Sequence, residues 1–270
     1  MDAGATLTKL AHRDPDGELH FELLSAADGW AAIGRRIEAL SPSTLGLTGG
    51  GGAEIADRIS CPLALINEFA AWGTGAAGLL ARADLACDGR YLLVSLGTGT
   101  TALLVDGVSS SRVGGTALGG GTAVGLGAAL CGCSEFDRLC ELAREGTRRH
   151  VDLLVSDIYR TGESPLWGEI TASSFAKLAR PDEETKPSPE DLAASIMGLV
   201  GENVALICSS LAASAQVRQI VFGGATLRGN QLLQTILKTI SSALGRQCII
   251  LPEGEFTGAL GALELAHARR

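Results

Sequence analysis

Aromatic side chains and clusters of positive charge are both scarce in this chain. Its 270 residues include only 3 Trp, 2 Tyr and 6 Phe, and its lysines and arginines never run beyond a pair. The formal net charge is −8. A protein that binds duplex nucleic acid needs a basic stripe, so nucleic acid is not an expected partner. An anionic substrate is still compatible with this charge, because single lysines and helix N-termini can bind phosphate.

Long apolar runs and a leader pattern are also missing. No uninterrupted apolar run approaches the roughly 20 residues of a membrane-spanning helix. The first ten residues, MDAGATLTKL, contain no basic segment followed by an apolar one. We therefore expect neither a membrane span nor a signal peptide.

Cysteine and histidine do not form a recognisable framework. The 7 cysteines are odd in number, and their spacing is not that of a disulfide scaffold. Free thiols in a reducing compartment are the simplest interpretation, which predicts a cytoplasmic protein. Cys131 and Cys133 lack a second pair at zinc spacing and are interpreted as the C-terminal turn of a helix. The 4 histidines are scattered, so no metal site is expected from them.

Glycine, by contrast, is abundant. The chain has 36 glycines, about twice the usual share. Four glycine-rich turns each lie at one end of a predicted strand, at 2–6, 48–52, 97–100 and 223–225. Glycine allows backbone N–H groups to converge on a phosphate, and several such turns interleaved with Thr predict a nucleotide site. A Walker A motif is absent, and Gly97-x-Gly99 precedes a predicted strand where the dinucleotide fingerprint requires a helix.

The periodicity of apolar residues predicts hairpins first and an alternation of strands and helices afterwards. Strands are predicted at 6–11, 18–24, 44–48, 63–66, 91–95, 101–105, 219–222 and 247–251. Helices are predicted at 30–40, 67–81, 122–130, 136–144, 190–214, 230–244 and 256–268. Asn67 is a candidate N-cap, as is Ser188, which is followed by proline and two acids. Residues 180–187 are predicted to be an exposed loop.

This pattern predicts an α/β protein with two lobes. A shift in composition near residue 90 divides a small N-terminal lobe, 1–90, from a larger one, 91–255. The C-terminal helix, 256–270, is expected to return and pack on the first lobe.

Eight short motifs follow one another in a fixed order over nearly the whole chain. They are DAGATLTK (2–9), TGGGG (48–52), NEF (67–69), VSLGTGTT (94–101), RVGGTALGGGTAVGLG (112–127), ITASSF (170–175), FGGATLRG (222–229) and FTGALGAL (256–263). In this order the chain resembles the type II (eukaryote-like) pantothenate kinases of the sugar-kinase/Hsp70/actin superfamily. The resemblance implies a two-lobed actin-like ATPase fold, which is ribonuclease-H-like, with an ATP cleft between the lobes. It also implies transfer of the ATP γ-phosphate to the primary hydroxyl of pantothenate, the first committed step of coenzyme A synthesis.

The resemblance assigns the chemistry to a few side chains. It implies that Glu68 is the catalytic base and that Arg112 contacts both the substrate and the transferring phosphoryl group. It implies that Asp2 holds Mg²⁺ through water and that Lys9 neutralises phosphate. Taken alone, each has an ordinary alternative: Glu68 suits the first turn of any helix, and the other three are compatible with solvated surface positions.

The remaining site residues follow from the same motifs. Substrate binding is expected to involve Glu68 and Arg112 together with Gly114 and Gly115. ATP binding is expected to involve Asp2, Gly4, Ala5, Thr6, Lys9, Gly97, Thr98, Gly99, Thr100, Gly119, Gly120, Gly121, Thr122, Phe136, Gly223, Gly224 and Ala225.

The resemblance also implies partners. The family is dimeric, and Gly198 and Gly201 would permit close helix–helix approach, so a homodimer is predicted. Coenzyme A or its thioesters are possible inhibitors. Two other functions stay open: a catalytically weak relative that binds nucleotide or acyl-CoA as a sensor, and another small-molecule kinase of the superfamily.

Two features depart from the family pattern. Ala5 stands where the DxGGT loop has its second glycine, which would cost about 1 kcal/mol if that residue needed a positive φ and would be mild otherwise. The chain also begins one residue before Asp2, where the family has an apolar strand. This predicts a truncated start; the alternative is a defective first lobe.

Overall fold

A computed structural model describes residues 1–25, 29–159, 170–179 and 186–268 of the chain. Its strands are β1 (Asp2–Ala3), β2 (Leu7–Arg13), β3 (Leu19–Ser25), β4 (Leu45–Leu47), β5 (Leu63–Leu65), β6 (Arg90–Leu96), β7 (Thr100–Asp106), β8 (Ser109–Thr116), β9 (Leu153–Leu154), β10 (Thr171–Ser173), β11 (Gln219–Gly223) and β12 (Gln247–Ile250). Its α-helices are α1 (Trp30–Leu40), α2 (Gly52–Ala56), α3 (Glu68–Arg82), α4 (Gly120–Leu126), α5 (Phe136–Glu145), α6 (Val155–Ile158), α7 (Pro189–Ser214), α8 (Gln231–Ala243) and α9 (Thr257–His267).

Two sheets share the same strand order. In the first, β1 pairs antiparallel with β2 and β2 with β3, while β4 and β5 are parallel. A parallel bridge between Asp2 and Thr48 joins β1 to the end of β4, so the spatial order is β3-β2-β1-β4-β5. The second sheet has the order β8-β7-β6-β11-β12, again an antiparallel meander followed by two parallel strands. The two hairpin turns, β1–β2 and β6–β7, therefore occupy equivalent positions.

Helices cover both faces of the second sheet. Side chains of one face pack on α5, α7 and α8, and those of the other face pack on α3 and α9. The first core contains Leu92, Val94, Leu96, Ile196, Val200 and Leu237, and the second contains Trp72, Leu79, Leu93, Leu103 and Leu260. Alternation along β6 sends successive side chains to opposite faces, which is why residues 91–94, buried on both faces, form an unbroken apolar run.

The first sheet lies between α1 and α9. Ile33 and Ile37 of α1 pack on Leu10 and Leu47. The opposite face meets α9, which also contacts the second sheet through Leu260. The division of the chain at residue 90 stays a prediction, as does the assignment of 256–270, of which 269–270 lie outside the described residues.

The long helix α7 bears on two expectations from the sequence. It begins as predicted, with Ser188 accepting from the Asp191 N–H and Asp191 accepting from the Ser188 N–H. With 26 residues and a mean hydropathy of 1.6 in its most apolar window, it is long and apolar enough to cross a membrane by length and composition alone. Because 72% of that window is buried inside the protein, its apolar surface is explained by core packing. Among the described residues, no other helix passes this test.

The glycines of α7 also have a different use from the predicted one. A Cβ at Gly198 would collide with the side chain of Arg148, and a Cβ at Gly201 would lie 2.8 Å from Ile236 Cγ2 on α8. Both glycines therefore allow close packing within the chain, and neither is free to meet a second copy.

The predicted long elements agree with the structure to within two or three residues, but the sequence did not predict strand β8, Ser109–Thr116. The predicted helix at 122–130 begins earlier, as α4, and continues as a π-helical turn, Gly127–Cys131. Gly132 then ends it with φ 65°, as the interpretation of Cys131 and Cys133 required. Most of the predicted loop at 180–187 lies outside the described residues.

Candidate active site

A cleft of about 1140 Å³ lies where the turns of the two sheets face each other. Its walls come from the β1–β2 turn, the β6–β7 turn, the start of α3, strand β8, the start of α5 and the turn after β11. The predicted site residues that line it are Asp2, Gly4, Ala5, Thr6, Lys9, Glu68, Gly97, Thr98, Gly99, Thr100, Arg112, Gly115, Gly120, Gly121, Phe136, Gly224 and Ala225. Tertiary folding thus brings together motifs that are far apart in sequence.

The first loop is the turn between β1 and β2. Gly4 is required there, because a Cβ would lie 2.8 Å from the Leu7 carbonyl oxygen and 2.9 Å from Lys9 Nζ. Ala5 is exposed and has a negative φ, so its methyl group causes no backbone strain. Of the two outcomes considered for this departure from the family pattern, the mild one holds.

The second loop, Gly97–Thr100, meets the first across the cleft. The hydroxyls of Thr6 and Thr98 are hydrogen-bonded, with 3.2 Å between their Oγ1 atoms. Thr100 is buried, and its hydroxyl donates to the Leu118 carbonyl oxygen at 2.7 Å. Thr98 therefore presents a hydroxyl to the cleft, while the Thr100 hydroxyl holds the neighbouring chain.

The N-terminus of α4 binds this loop from behind. The N–H of Gly120 donates to the Gly97 carbonyl oxygen at 2.8 Å, and the N–H of Gly121 donates to that of Thr98 at 2.9 Å. Thr226 donates its hydroxyl to the same Gly97 oxygen at 2.8 Å. Both glycines line the cleft as predicted, but their N–H groups stabilise the loop and are not free for phosphate.

Asp2 sits in a tight slot at the floor of the cleft. Lys9 Nζ lies 3.7 Å from its Oδ2. A Cβ at Gly49 would lie 2.6 Å from Oδ1, and a Cβ at Gly258, at the start of α9, would lie 2.9 Å from Oδ2. Burial raises the pKa of Asp2, while the positive charge of Lys9 opposes this increase. The two glycines thus leave room for a carboxylate and for what it binds.

Glu68 is the first residue of α3 and opens onto the same space. Asn67 caps the helix, because its side-chain oxygen accepts from the N–H groups of Phe69 and Ala70 at 3.0 and 3.1 Å. Desolvation raises the pKa of Glu68, the Asp2 carboxylate raises it further, and Lys9 lowers it. A raised pKa in a cleft is typical of a general base.

Arg112, on strand β8, places a positive charge in this cleft. It is exposed, and within the described ranges no salt bridge engages it. A Cβ at Gly115 would lie 3.2 Å from Arg112 Nη2, so the absence of a side chain at Gly115 leaves space for the guanidinium. An unpaired guanidinium is suited to a carboxylate or a phosphoryl group.

Four predicted residues lie beside the cleft and not on its surface. Gly114 faces Leu211 of α7, and Gly119 packs on the backbone of the second loop. Thr122 donates its hydroxyl to the Ala117 carbonyl oxygen, and Gly223 packs against Gly254. These residues support the walls that others form.

Comparison with known proteins identifies the family. A family model described as Fumble matches residues 89–264. A type II pantothenate kinase from Staphylococcus haemolyticus is 30% identical over 265 residues, which cover 98% of both chains. One from Oceanobacillus iheyensis is 33% identical, with 97% of each chain covered.

The chain belongs to the type II pantothenate kinase family. A relative from Staphylococcus aureus (strain USA300) is also 33% identical, over 98% of each chain. Six of the eight motifs that predicted this membership contribute residues to the cleft, whereas ITASSF (170–175) and FTGALGAL (256–263) do not.

Solved structures agree on the fold of this family member. The activator of 2-hydroxyisocaproyl-CoA dehydratase from Clostridium difficile, solved with ADPNP, superposes with a TM-score of 0.62 at 16% identity and covers 99% of this chain and 93% of its own. A ROK family glucokinase from Streptomyces griseus, solved with glucose and AMPPNP, superposes with a TM-score of 0.55 at 12% identity. The match covers 97% of this chain and 99% of the glucokinase chain. At these identities the similarity shows the two-lobed ATPase fold alone.

Sequence reasoning missed several residues of the cleft in this kinase family member. Arg228 Nη2 lies 3.4 Å from both carboxylate oxygens of Asp137. Trp72 follows Glu68 by one helical turn, and Glu255 enters from the loop before α9. Arg228 stood in a quoted motif, and the helical spacing from Glu68 could have indicated Trp72. No local signal marked Asp137 or Glu255.

Cysteine and histidine play no part in this cleft. All 7 cysteines are free, as predicted. Asp14, Glu18 and His20 do bring their ligand atoms within 4.8 Å of one another, which the sequence did not suggest. Asp14 already accepts from the Glu18 N–H and from His20 Nε2, so these contacts stabilise the β2–β3 turn.

Proposed function

We propose that this protein transfers the γ-phosphoryl group of ATP to the primary hydroxyl of pantothenate, which begins coenzyme A synthesis. Family membership over the full chain supports this reaction. The observation that carries it is the position of Glu68, with its raised pKa, in the cleft that also contains both glycine-rich loops and Arg112.

Glu68 would accept the proton of the attacking hydroxyl. Arg112 would bind the substrate and the transferring phosphoryl oxygens, where its fixed fork of donors stabilises the charge. Lys9 and the hydroxyls of Thr6 and Thr98 would meet the phosphates. Gly224, Ala225 and Phe136 would receive the adenosine.

Magnesium fits the floor of the cleft. Asp2 offers carboxylate oxygens, which suit Mg²⁺ and its water shell, in a slot that a side chain at Gly49 or Gly258 would fill. Asp2 would hold Mg²⁺ through water, and when bound the ion would neutralise charge on the phosphates.

Glu68→Gln tests the base directly. We expect turnover to fall by about 10²–10⁴-fold, because proton transfer by a positioned base contributes that much. The measurement is a coupled ATP assay with pantothenate and, as a panel, amino sugars and hexoses. Asn67→Ala is the control, since it removes the cap and leaves the carboxylate. Unchanged turnover of Glu68→Gln would show that the base assignment is wrong.

We further propose a cytoplasmic homodimer that coenzyme A or its thioesters inhibit. Free cysteines support the cytoplasmic assignment. Because Gly198 and Gly201 pack within the chain, the dimer must use another surface.

A further inference from the structure

The surroundings of the Asp2 carboxylate contain two polar groups that the proposed reaction has not used. Thr48 is 3% exposed, and within the part of the chain that the structure describes its hydroxyl has no hydrogen-bond partner. Trp72 is 6% exposed and presents its indole ring to the cleft. Buried polar atoms are nearly always satisfied, so an unpartnered one calls for a water or a ligand.

Sheet geometry places Thr48 beside Asp2. The two are bridge partners on neighbouring parallel strands, and side chains of bridge partners point to the same face of a sheet. Gly46 lies two residues earlier on that face, where a Cβ would collide with the Ala262 carbonyl oxygen of α9. The Thr48 hydroxyl and the Asp2 carboxylate therefore share the face that α9 covers.

Trp72 approaches the same point from α3. A Cβ at Gly258 would lie 2.9 Å from Asp2 Oδ2 and 3.1 Å from Trp72 Nε1. Both atoms thus border one small space at the start of α9. The indole N–H can only donate, and an ionised carboxylate can only accept.

We propose that Thr48 and Trp72 are positioning residues for Asp2. Through an intervening water, the hydroxyl and the indole N–H would orient the carboxylate so that it can receive the hydrated Mg²⁺ of the bound nucleotide. This inference rests on the proposed function only because it takes Mg²⁺ as the ion that accompanies the nucleotide. Groups that orient a metal-binding residue commonly change metal affinity by 10- to 100-fold when they are removed.

The chain provides a matched control for Thr48. Thr8 is also fully buried with an unpartnered hydroxyl, and it pairs with Ala3, next to Asp2. Ala3 and Leu10 belong to the core under α1, so Thr8 faces away from the cleft. Thr48→Val and Thr8→Val therefore delete the same atom at the same depth on opposite faces of one sheet.

The test measures ADP binding by calorimetry as Mg²⁺ is varied, on the full chain. We expect Thr48→Val to raise the Mg²⁺ concentration for half-maximal ADP binding about tenfold, with metal-free binding unchanged. Thr48→Ser should restore it, and Thr8→Val should match the unaltered protein. Equal Mg²⁺ dependence in Thr48→Val and Thr8→Val would overturn the role of Thr48.

A second pair of variants tests the indole nitrogen. Trp72→Phe retains the ring and removes the donor, and Trp30→Phe does the same in the N-terminal core beside Gly51. Trp72→Phe alone should shift the Mg²⁺ dependence, and the same curve for both variants would refute the role of Trp72. ADP binding involves no acceptor, so failure to phosphorylate pantothenate would refute the proposed reaction without touching this result.

Discussion

The protonation state of Glu68 should determine how kcat/KM falls on the acidic side of the pH–rate profile. Burial and Asp2 raise its pKa above the ordinary 4.5, and a base acts only when deprotonated. We therefore expect kcat/KM to fall as the pH decreases through this raised pKa. Lys9 lowers that pKa, so Lys9→Met should move the limb to higher pH whatever it does to the maximal rate. A limb at or below pH 4.5 in both proteins would contradict the assignment.

Ala5 and Gly4, both in the first loop, should respond differently to substitution. Ala5 has a negative φ and is exposed, so Ala5→Gly should change KM for ATP by less than about twofold. Gly4→Ala should raise that KM about tenfold or more, because the new methyl group meets the Leu7 carbonyl oxygen and Lys9 Nζ. Steady-state kinetics at saturating pantothenate measure both. A large gain from Ala5→Gly would mean that the loop is strained after all.

At the scale of elements, the crossing of α3 and α9 holds the cleft floor. A Cβ at Gly75 would collide with the Thr257 carbonyl oxygen, and one at Gly261 would collide with that of Ala71. Small residues at both positions allow the two backbones to touch, which brings Glu68 and Asp2 to the same space.

Gly261→Ala should therefore destabilise the fold. Overpacking of this kind costs about 1–3 kcal/mol of unfolding free energy, measured by urea denaturation. Gly125→Ala on α4 is the control, since nothing lies within 4 Å of its would-be Cβ and alanine favours helix by about 1 kcal/mol. If both variants were equally stable, the close contact between α3 and α9 would not exist in solution.

At the scale of the molecule, the two sheets present equivalent hairpin turns to one cleft. Thr6 and Thr98 lie 92 residues apart in sequence and touch across the cleft. A ligand whose phosphates contact both turns should couple the lobes, because it binds only when both are folded.

ATP analogues should consequently raise the thermal stability of the whole chain. At a concentration of one hundred times Kd, binding contributes about 2.7 kcal/mol. AMP, which lacks the phosphates that reach both turns, should bind more weakly and shift the melting temperature less at the same concentration. If AMP and the triphosphate analogue raised the melting temperature equally, the binding free energy would come from contacts on the adenosine side alone.

Local signals in the sequence were enough to predict most elements and the family. Asn67 and Ser188 mark helix starts through their side-chain chemistry, and alternating apolar residues mark strands over a few positions, so short windows suffice. The glycines of the turns are also local signals, so short motifs were enough to show the resemblance to the family.

Which groups meet depends on tertiary packing. Local signals encode φ and ψ, but the approach of Gly258 to Asp2, or of Asp137 to Arg228, depends on how distant elements pack. Packing also reassigned groups that the motifs had marked: the N–H groups of Gly120 and Gly121 bind a loop, and Gly198 makes room for Arg148. A glycine-rich motif indicates that other atoms pack closely against that stretch of backbone, but only the fold shows which atoms these are.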